Sequence, residues 1–296
     1  MPVHRVVEKS FLLEYLFGHF ARLKKTKVKQ ILKYGSVRVN GRVVTSHRHE
    51  LKPGDTLDFL NEKDALAERL KTRLDFPIVY EDRVLLVVEK PAGILTMGTE
   101  HEKEETLYFK LTEYERAKSR DDCGRVFVVH RLDRDASGLV VVAKNAKVKH
   151  ALQESWNLAV KKYYAVVEGV PKKEQGIIES FLVEDKFKRV YSVRDRSHPS
   201  SKHAVTRYRL VRKNGRYALL DILLETGRKN QIRVHLSDLG HPIVADTKYG
   251  APSHPLKRLA LHAYQLSFPH PSTGKFMSFR SELPESIEKL VHHARP

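Results

Sequence analysis

From residue 77 onward the chain is cut into short apolar runs, at 84–88, 127–130, 139–143, 163–167, 205–211 and 217–224. Each is rich in Val, Ile, Leu or Tyr, and each has the length of a strand, too short for a core helix. Helical spacing appears between them only at 147–158 and 230–239. Strands that follow one another without a helix between each pair do not build a parallel sheet. The pattern predicts an α+β domain on a mostly antiparallel central sheet, over residues 77–296.

The first 60 residues read as a separate, small α/β unit. Leu12, Leu13, Leu16, Phe17, Phe20 and Leu23 recur at helical spacing, and Val28, Ile31 and Leu32 mark a second short helix that Gly35 is placed to stop. The stretch 37–44 reads as a hairpin about the turn Asn40-Gly41. Lys52-Pro53-Gly54-Asp55 is a further turn, and 56–59 a further strand. Residues 61–76, polar and helix-prone, read as a linker between the two domains.

Charge narrows the partners. The chain carries 54 Lys+Arg against 36 Asp+Glu, a net charge of +18. That says little about fold, but it favours a polyanion, nucleic acid before an anionic membrane surface. Within residues 1–60, 12 basic residues face 5 acidic ones, and Lys24, Lys25, Lys27, Lys29 and Lys33 crowd the second helix. A lysine run of this kind is commonly a solvated helix face; on so small and basic a unit it also suits RNA phosphates.

Other classes fall away. No apolar run approaches the roughly 20 residues of a spanning helix, and the N-terminus lacks a secretory layout. With Cys123 as the single cysteine, neither an internal disulfide nor a cysteine-based zinc site can form. No metal spacing of histidines, phosphate-binding glycine loop or serine-hydrolase elbow is present. His130 and His235 are expected to support the local structure, not to bind a metal. The expectation is a cytoplasmic protein with no cofactor, no metal and no membrane, and a monomer by default.

Three segments carry chemistry. In the first, His130-Arg131-Leu132-Asp133-Arg134-Asp135-Ala136-Ser137-Gly138, an acidic residue sits in a loop between two apolar strands, which predicts an exposed carboxylate on a rigid scaffold. Such an Asp beside arginines is also a common surface ion pair. The second, Lys161-Lys162-Tyr163-Tyr164-Ala165-Val166, places a tyrosine in a strand, where it would ordinarily be core. The third runs from Glu225 through Gly227-Arg228-Lys229-Asn230-Gln231-Ile232-Arg233 and on to Gly240-His241-Pro242 and Asp246-Thr247-Lys248-Tyr249-Gly250. Its two arginines could clamp a phosphate or a carboxylate, or be ordinary surface charges.

Taken in this order, the three segments resemble the RluA family of pseudouridine synthases, over about residues 77–285. The stretch Lys90-Pro91-Ala92-Gly93 is similar to the loop that opens the family's domain. Two positions depart from the family pattern: Ala136 stands where Thr is usual and Asn230 where His is usual, and neither is expected to touch the nucleophile. Residues 10–60, with Gly35-Ser36-Val37-Arg38-Val39-Asn40-Gly41, resemble the alpha-L RNA-binding domain, the type of small-subunit ribosomal protein four. On that resemblance Lys24, Lys25, Lys27, Lys29 and Arg38 are RNA-binding candidates.

The resemblance implies a chemistry. A uridine in structured RNA leaves its stack, at a cost of about a few kcal/mol, and is isomerised to pseudouridine without a cofactor. Asp133 is the implied nucleophile, acting at ribose C1′ or base C6. Arg233 would pair with it and aim it. Tyr163 would offer the uracil a flat face, and its hydroxyl could assist proton removal at C5. Arg131 would fill the gap left by the flipped base, Arg228 would touch phosphate or support the site, and Ile232 and Leu236 would line the apolar wall. Large-subunit ribosomal RNA is expected ahead of transfer RNA. The alternative from another class is a non-catalytic RNA-binding or ribosome-assembly protein, against which Asp133, Tyr163 and Arg233 in register argue. A nucleoside hydrolase-like enzyme is disfavoured by the charge.

Overall fold

The computed structural model describes residues 4–21, 24–33, 36–44, 46–60, 74–118, 124–196 and 198–292. Its contacts divide into two compact units, residues 1–75 with 110–125 and residues 76–109 with 126–296. Leu23, Gly35 and most of the expected linker over 61–76 lie outside the described residues.

In the first unit, β1 (His4–Arg5) pairs with β6 (Thr56–Phe59), β6 with β3 (Val37–Val39), and β3 with β4 (Arg42–Val43). A second ladder joins β2 (Ser10–Phe11) to β5 (Glu50–Leu51). The hairpin between β3 and β4 turns on Asn40 and Gly41, with φ of 51° and 77°. Two consecutive positive φ values are what a tight two-residue hairpin demands, and Asn and Gly tolerate them best. The Asn40 side chain fixes the turn, accepting from the Thr56 backbone N–H at 2.9 Å and donating to Asp55 at 2.8 Å. Helices α1 (Leu12–His19) and α2 (Lys25–Lys33) enclose a core of Leu12, Leu16, Val28, Leu32, Val37, Leu51 and Leu57. Burying Val28 and Leu32, four residues apart, leaves Lys24, Lys25, Lys27 and Lys29 in solvent, while Arg38 on β3 is half-buried.

The second unit is built on one sheet. Its strands are β7 (Ile78–Glu81), β8 (Leu85–Lys90), β9 (Phe127–Val128), β10 (Ser137–Ala143), β11 (Val160–Glu168), β12 (Gln175–Glu184), β13 (Val190–Val193), β14 (Lys202–Lys213), β15 (Tyr217–Leu224), β16 (Leu261–Pro269) and β17 (Phe276–Arg280). The spatial order is β13-β12-β14-β15-β11-β16-β10-β8-β7, with β17 on β16 and β9 on β10. Every pairing in it is antiparallel except β10 with β16. The expected α+β architecture with a mostly antiparallel sheet is therefore present. Strands β12, β13, β16 and β17 were not foreseen, nor was helix α3 (Leu107–Lys118), whose residues from Lys110 on count with the first unit.

Helix α4 (Ala146–Glu154) is capped by Asn145, whose side chain accepts from the Val148 N–H, and it buries Val148 and Leu152 against Leu85, Val87, Leu139 and Val141. Helix α5 (Gln231–Asp238) packs Val234 among Leu182, Val190, Ala204 and Tyr249. A short α6 (Glu285–Glu288) follows the last strand. Gly138 has φ of 118°, and a Cβ there would lie 2.3 Å from the Ala263 carbonyl oxygen. Only glycine permits β10 to meet β16 so closely at the point where the loop 130–137 ends. Among the described residues no helix is long and apolar enough to cross a membrane.

Candidate active site

The loop before β10 is held on both sides of Asp133. Upstream, Leu132 exchanges two hydrogen bonds with the Thr96 hydroxyl, at 3.1 and 2.9 Å. Downstream, the Arg134 carbonyl accepts from the Gly93 N–H at 2.9 Å and from Lys90 Nζ at 3.0 Å. Lys90 has no exposed surface. It also donates to the carbonyls of Pro91 and Ile94, so one buried amine ties the 91–94 loop to the 130–137 loop. Burial pulls its pKa down to about 7, against an opposing pull from Asp135 and Asp133. His130 Nε2 accepts from the Val141 N–H at 3.1 Å and its ring stacks on Trp156, in keeping with a supporting role.

Asp133 keeps 21% of its side-chain surface. The carboxylate expected to be exposed is therefore mostly enclosed, because α5 presents two donors to it. Arg233 Nη1 donates to Asp133 at 3.2 Å. The rest of that guanidinium is fixed from behind, Nε and Nη2 each donating at 2.8 Å to the two oxygens of Asp246. Asp246 has 1% of its surface exposed. Burial opposes the Arg233 charge, but Asp246 and Asp133 outweigh it and hold the guanidinium more firmly charged than usual. The face of Tyr249 lies 5.0 Å from the guanidinium carbon.

Asn230 corrects an expectation. It is the N-cap of α5 with φ of 54°, a left-handed conformation that Asn tolerates better than most residues. In the amide orientation that satisfies its neighbours, its oxygen accepts from the Tyr249 hydroxyl at 2.9 Å and its nitrogen faces both Asp133 oxygens at 3.1 Å. The position expected to lie away from Asp133 thus touches it. Its contact is made possible by the turn into α5, which the departure from the family pattern did not reveal.

The pocket beside Asp133 is lined by Arg131, Leu132, Ala136, Tyr163, Leu224, Arg228, Asn230, Gln231, Ile232, Arg233 and Leu261. Ala136, the second departure, is thus part of the wall. Leu236 is not: one helical turn beyond Ile232, it is fully buried in the interior. Tyr163 keeps 8% of its surface. Burial and the Asp133 charge both push its phenol pKa upward, so the hydroxyl stays protonated. Lys24, Lys25, Lys27, Lys29 and Arg38 belong to the other unit.

A buried polar network sets the start of α5. Gln231 accepts from the Thr226 hydroxyl at 2.8 Å and donates to the Thr206 hydroxyl at 3.0 Å. Thr206 meets His235 Nδ1 at 2.8 Å, and His235 Nε2 meets the Ser180 hydroxyl at 2.9 Å. Burial pulls the His235 pKa down to about 4, so the ring is neutral in the fold. Sequence reasoning missed Asp246, Tyr249 and the reach of Asn230. The positive φ of Ala245, 67°, marks the turn that presents Asp246. Among the described residues no cluster of His, Cys, Asp and Glu could hold a metal.

Comparison with known proteins gives the family. Residues 84–238 match the family model for RNA pseudouridylate synthase. The chain is 34% identical to an uncharacterized RNA pseudouridine synthase, YlyB, of Bacillus subtilis, covering 92% of this chain and 89% of that protein. It is 32% identical to ribosomal large subunit pseudouridine synthase D of Pasteurella multocida, covering 94% and 88%. It is likewise 32% identical to ribosomal large subunit pseudouridine synthase C of Vibrio vulnificus, covering 95% and 91%. Among solved structures, human RNA pseudouridylate synthase domain containing 4 superposes with a TM-score of 0.62 at 26% identity, covering 77% of this chain and 97% of that one. With the motif residues gathered about one enclosed carboxylate, this chain belongs to the RluA-type RNA pseudouridine synthases, isomerases that act on RNA.

Proposed function

We propose that the chain isomerises uridine in large-subunit ribosomal RNA and that Asp133 is its nucleophile. The observation that carries the site assignment is the chain of contacts Asp246–Arg233–Asp133 at the edge of a pocket. A carboxylate so aimed has one side fixed by Arg233 and Asn230 and the other open toward Tyr163. In the reaction the N1–C1′ bond breaks, C5 joins C1′, the C5 proton leaves and N1 takes up a proton. Asp133 bonds covalently to the nucleoside, at ribose C1′ or base C6, and keeps ribose and base together while the base turns. Tyr163 stacks on the base and Ile232 closes the apolar wall. Arg131 takes the place of the extruded base, and Arg228 contacts the RNA at the pocket edge.

The ribosomal assignment is supported by the two relatives named for the large subunit. A basic N-terminal unit of the alpha-L type would supply affinity through Lys24, Lys25, Lys27, Lys29 and Arg38. Pseudouridine mapping of ribosomal and transfer RNA from cells with and without the gene tests this. Loss of sites in large-subunit RNA is the expected result; loss confined to transfer RNA would overturn the substrate assignment.

A further inference from the structure

The cations near Asp133 differ in their partners. Arg233, on the pocket wall, has Asp133 and Asp246, and Arg134, next to Asp133 in sequence, has Glu102. Arg131 and Arg228 line that pocket without one among the described residues; the Arg228 guanidinium donates to the His203 carbonyl, at 3.0 Å. Lys161 also lacks a carboxylate partner among the described residues. It precedes Tyr163 by two residues on β11, so both side chains leave the same face of the sheet. Across the ladder it opposes Leu224, a pocket-lining residue.

Lys161 keeps 8% of its surface, yet among the described residues its ammonium meets no carboxylate and no hydrogen-bond acceptor. Its one marked contact is the Trp156 ring, 6.0 Å from ring centre to Nζ. The ammonium is not among the wholly enclosed side-chain atoms that lack a hydrogen bond. Burial and the charge of Arg228 both pull its pKa down, which places the two cations within each other's field. A buried ammonium beside a second cation, with no anion to offset either, costs stability. Such a charge is kept where an anion arrives with a ligand.

We propose that Lys161, with Arg228, forms a phosphodiester-binding site beside the pocket, taking backbone phosphate next to the extruded uridine. This rests on the assignment of the pocket to that uridine. Arg228 presents fork-shaped donors suited to phosphate oxygens, and Lys161 adds a point charge. Binding of the phosphate would order the strand on either side of the flipped nucleotide without touching the reacting atoms.

The test uses the full chain and two probes, an unmodified transcript of large-subunit ribosomal RNA and a fluorescent oligouridylate. Lys161→Met removes the charge and keeps the stem; Lys161→Gln serves as a second charge deletion, and Lys161→Arg restores the charge. Both deletions are expected to raise KM on the transcript roughly tenfold, the size of one charge-assisted contact, with kcat within about twofold. The salt slope of oligouridylate binding should fall by about 0.7, one phosphate contact, and Lys161→Arg should recover both. Unchanged KM and salt slope in either folded deletion variant would overturn the proposal, as would a loss of kcat alone. If the wild-type chain binds but does not convert the transcript, the uridine reading fails, and the salt slope still reports on the phosphate contact.

Discussion

The charges around Asp133 and those on α2 differ in what holds them. Arg233 is gripped by Asp246 and Asp133 and shielded from water, so its position is set before any ligand arrives. Lys24, Lys25, Lys27 and Lys29 are exposed on and just before a helix whose inward face is already filled by Val28 and Leu32. A fixed, enclosed charge suits chemistry, because reorganisation has been done by the fold. A row of solvated charges suits a polyanion, whose counterions are released on contact. The comparison teaches that one basic chain can divide positioning from affinity, and each half should fail in its own way.

The largest effect is expected where the enclosed set is broken. Asp246→Ala leaves Arg233 half-buried with its main partner gone; a stability loss of about 3 kcal/mol and a kcat loss of roughly 100-fold should follow, read by thermal melting and single-turnover conversion. Near-normal turnover would show that Asp246 does not position Arg233. Asn230→Ala removes the neutral donor facing Asp133 and should lower kcat about tenfold, with KM unchanged. A rise in KM at constant kcat would place Asn230 on the substrate instead.

For the solvated set, replacing Lys24, Lys25, Lys27 and Lys29 together by Gln should weaken RNA binding several-fold and flatten its salt dependence, leaving saturated turnover intact. If the salt slope stays the same, those lysines do not meet phosphate. The smallest effect concerns His235, buried and neutral, with a pKa of about 4 in the fold against an ordinary 6.5. Between those values the unfolded chain binds more protons than the native one, so stability rises with pH across the window and falls as pH drops through it. His235→Gln should remove roughly 1–2 kcal/mol of that acid sensitivity. An unchanged melting-versus-pH curve would show that His235 is not the group responsible.

Much of this division could be read from the residues. The apolar runs gave the strand character of the domain because Val, Ile and Tyr cluster only where a sheet buries them. Asp133, Tyr163 and Arg233 were singled out because their segments resemble a family motif. What escaped was set by contacts between distant segments. Asp246 meets Arg233 through a turn with a positive φ at Ala245, which no periodicity announces. Asn230 reaches Asp133 only because α5 begins in a left-handed residue. Leu236 fell on the wrong side, since one helical turn separates a pocket wall from the interior. Strands β12 and β17 went unseen because polar side chains interrupt them: one face of each is wet, and their apolar content is halved.

The central claim is that Asp133 is the nucleophile, and it is tested most directly by tritium release. When C5 joins the ribose its hydrogen is lost, so RNA carrying tritium at uridine C5 releases label once per turnover. The wild-type chain should release label from large-subunit ribosomal RNA, and Asp133→Asn should release none above background while binding the same RNA with an affinity within about twofold. Release by Asp133→Asn at a substantial fraction of the wild-type rate would contradict the account.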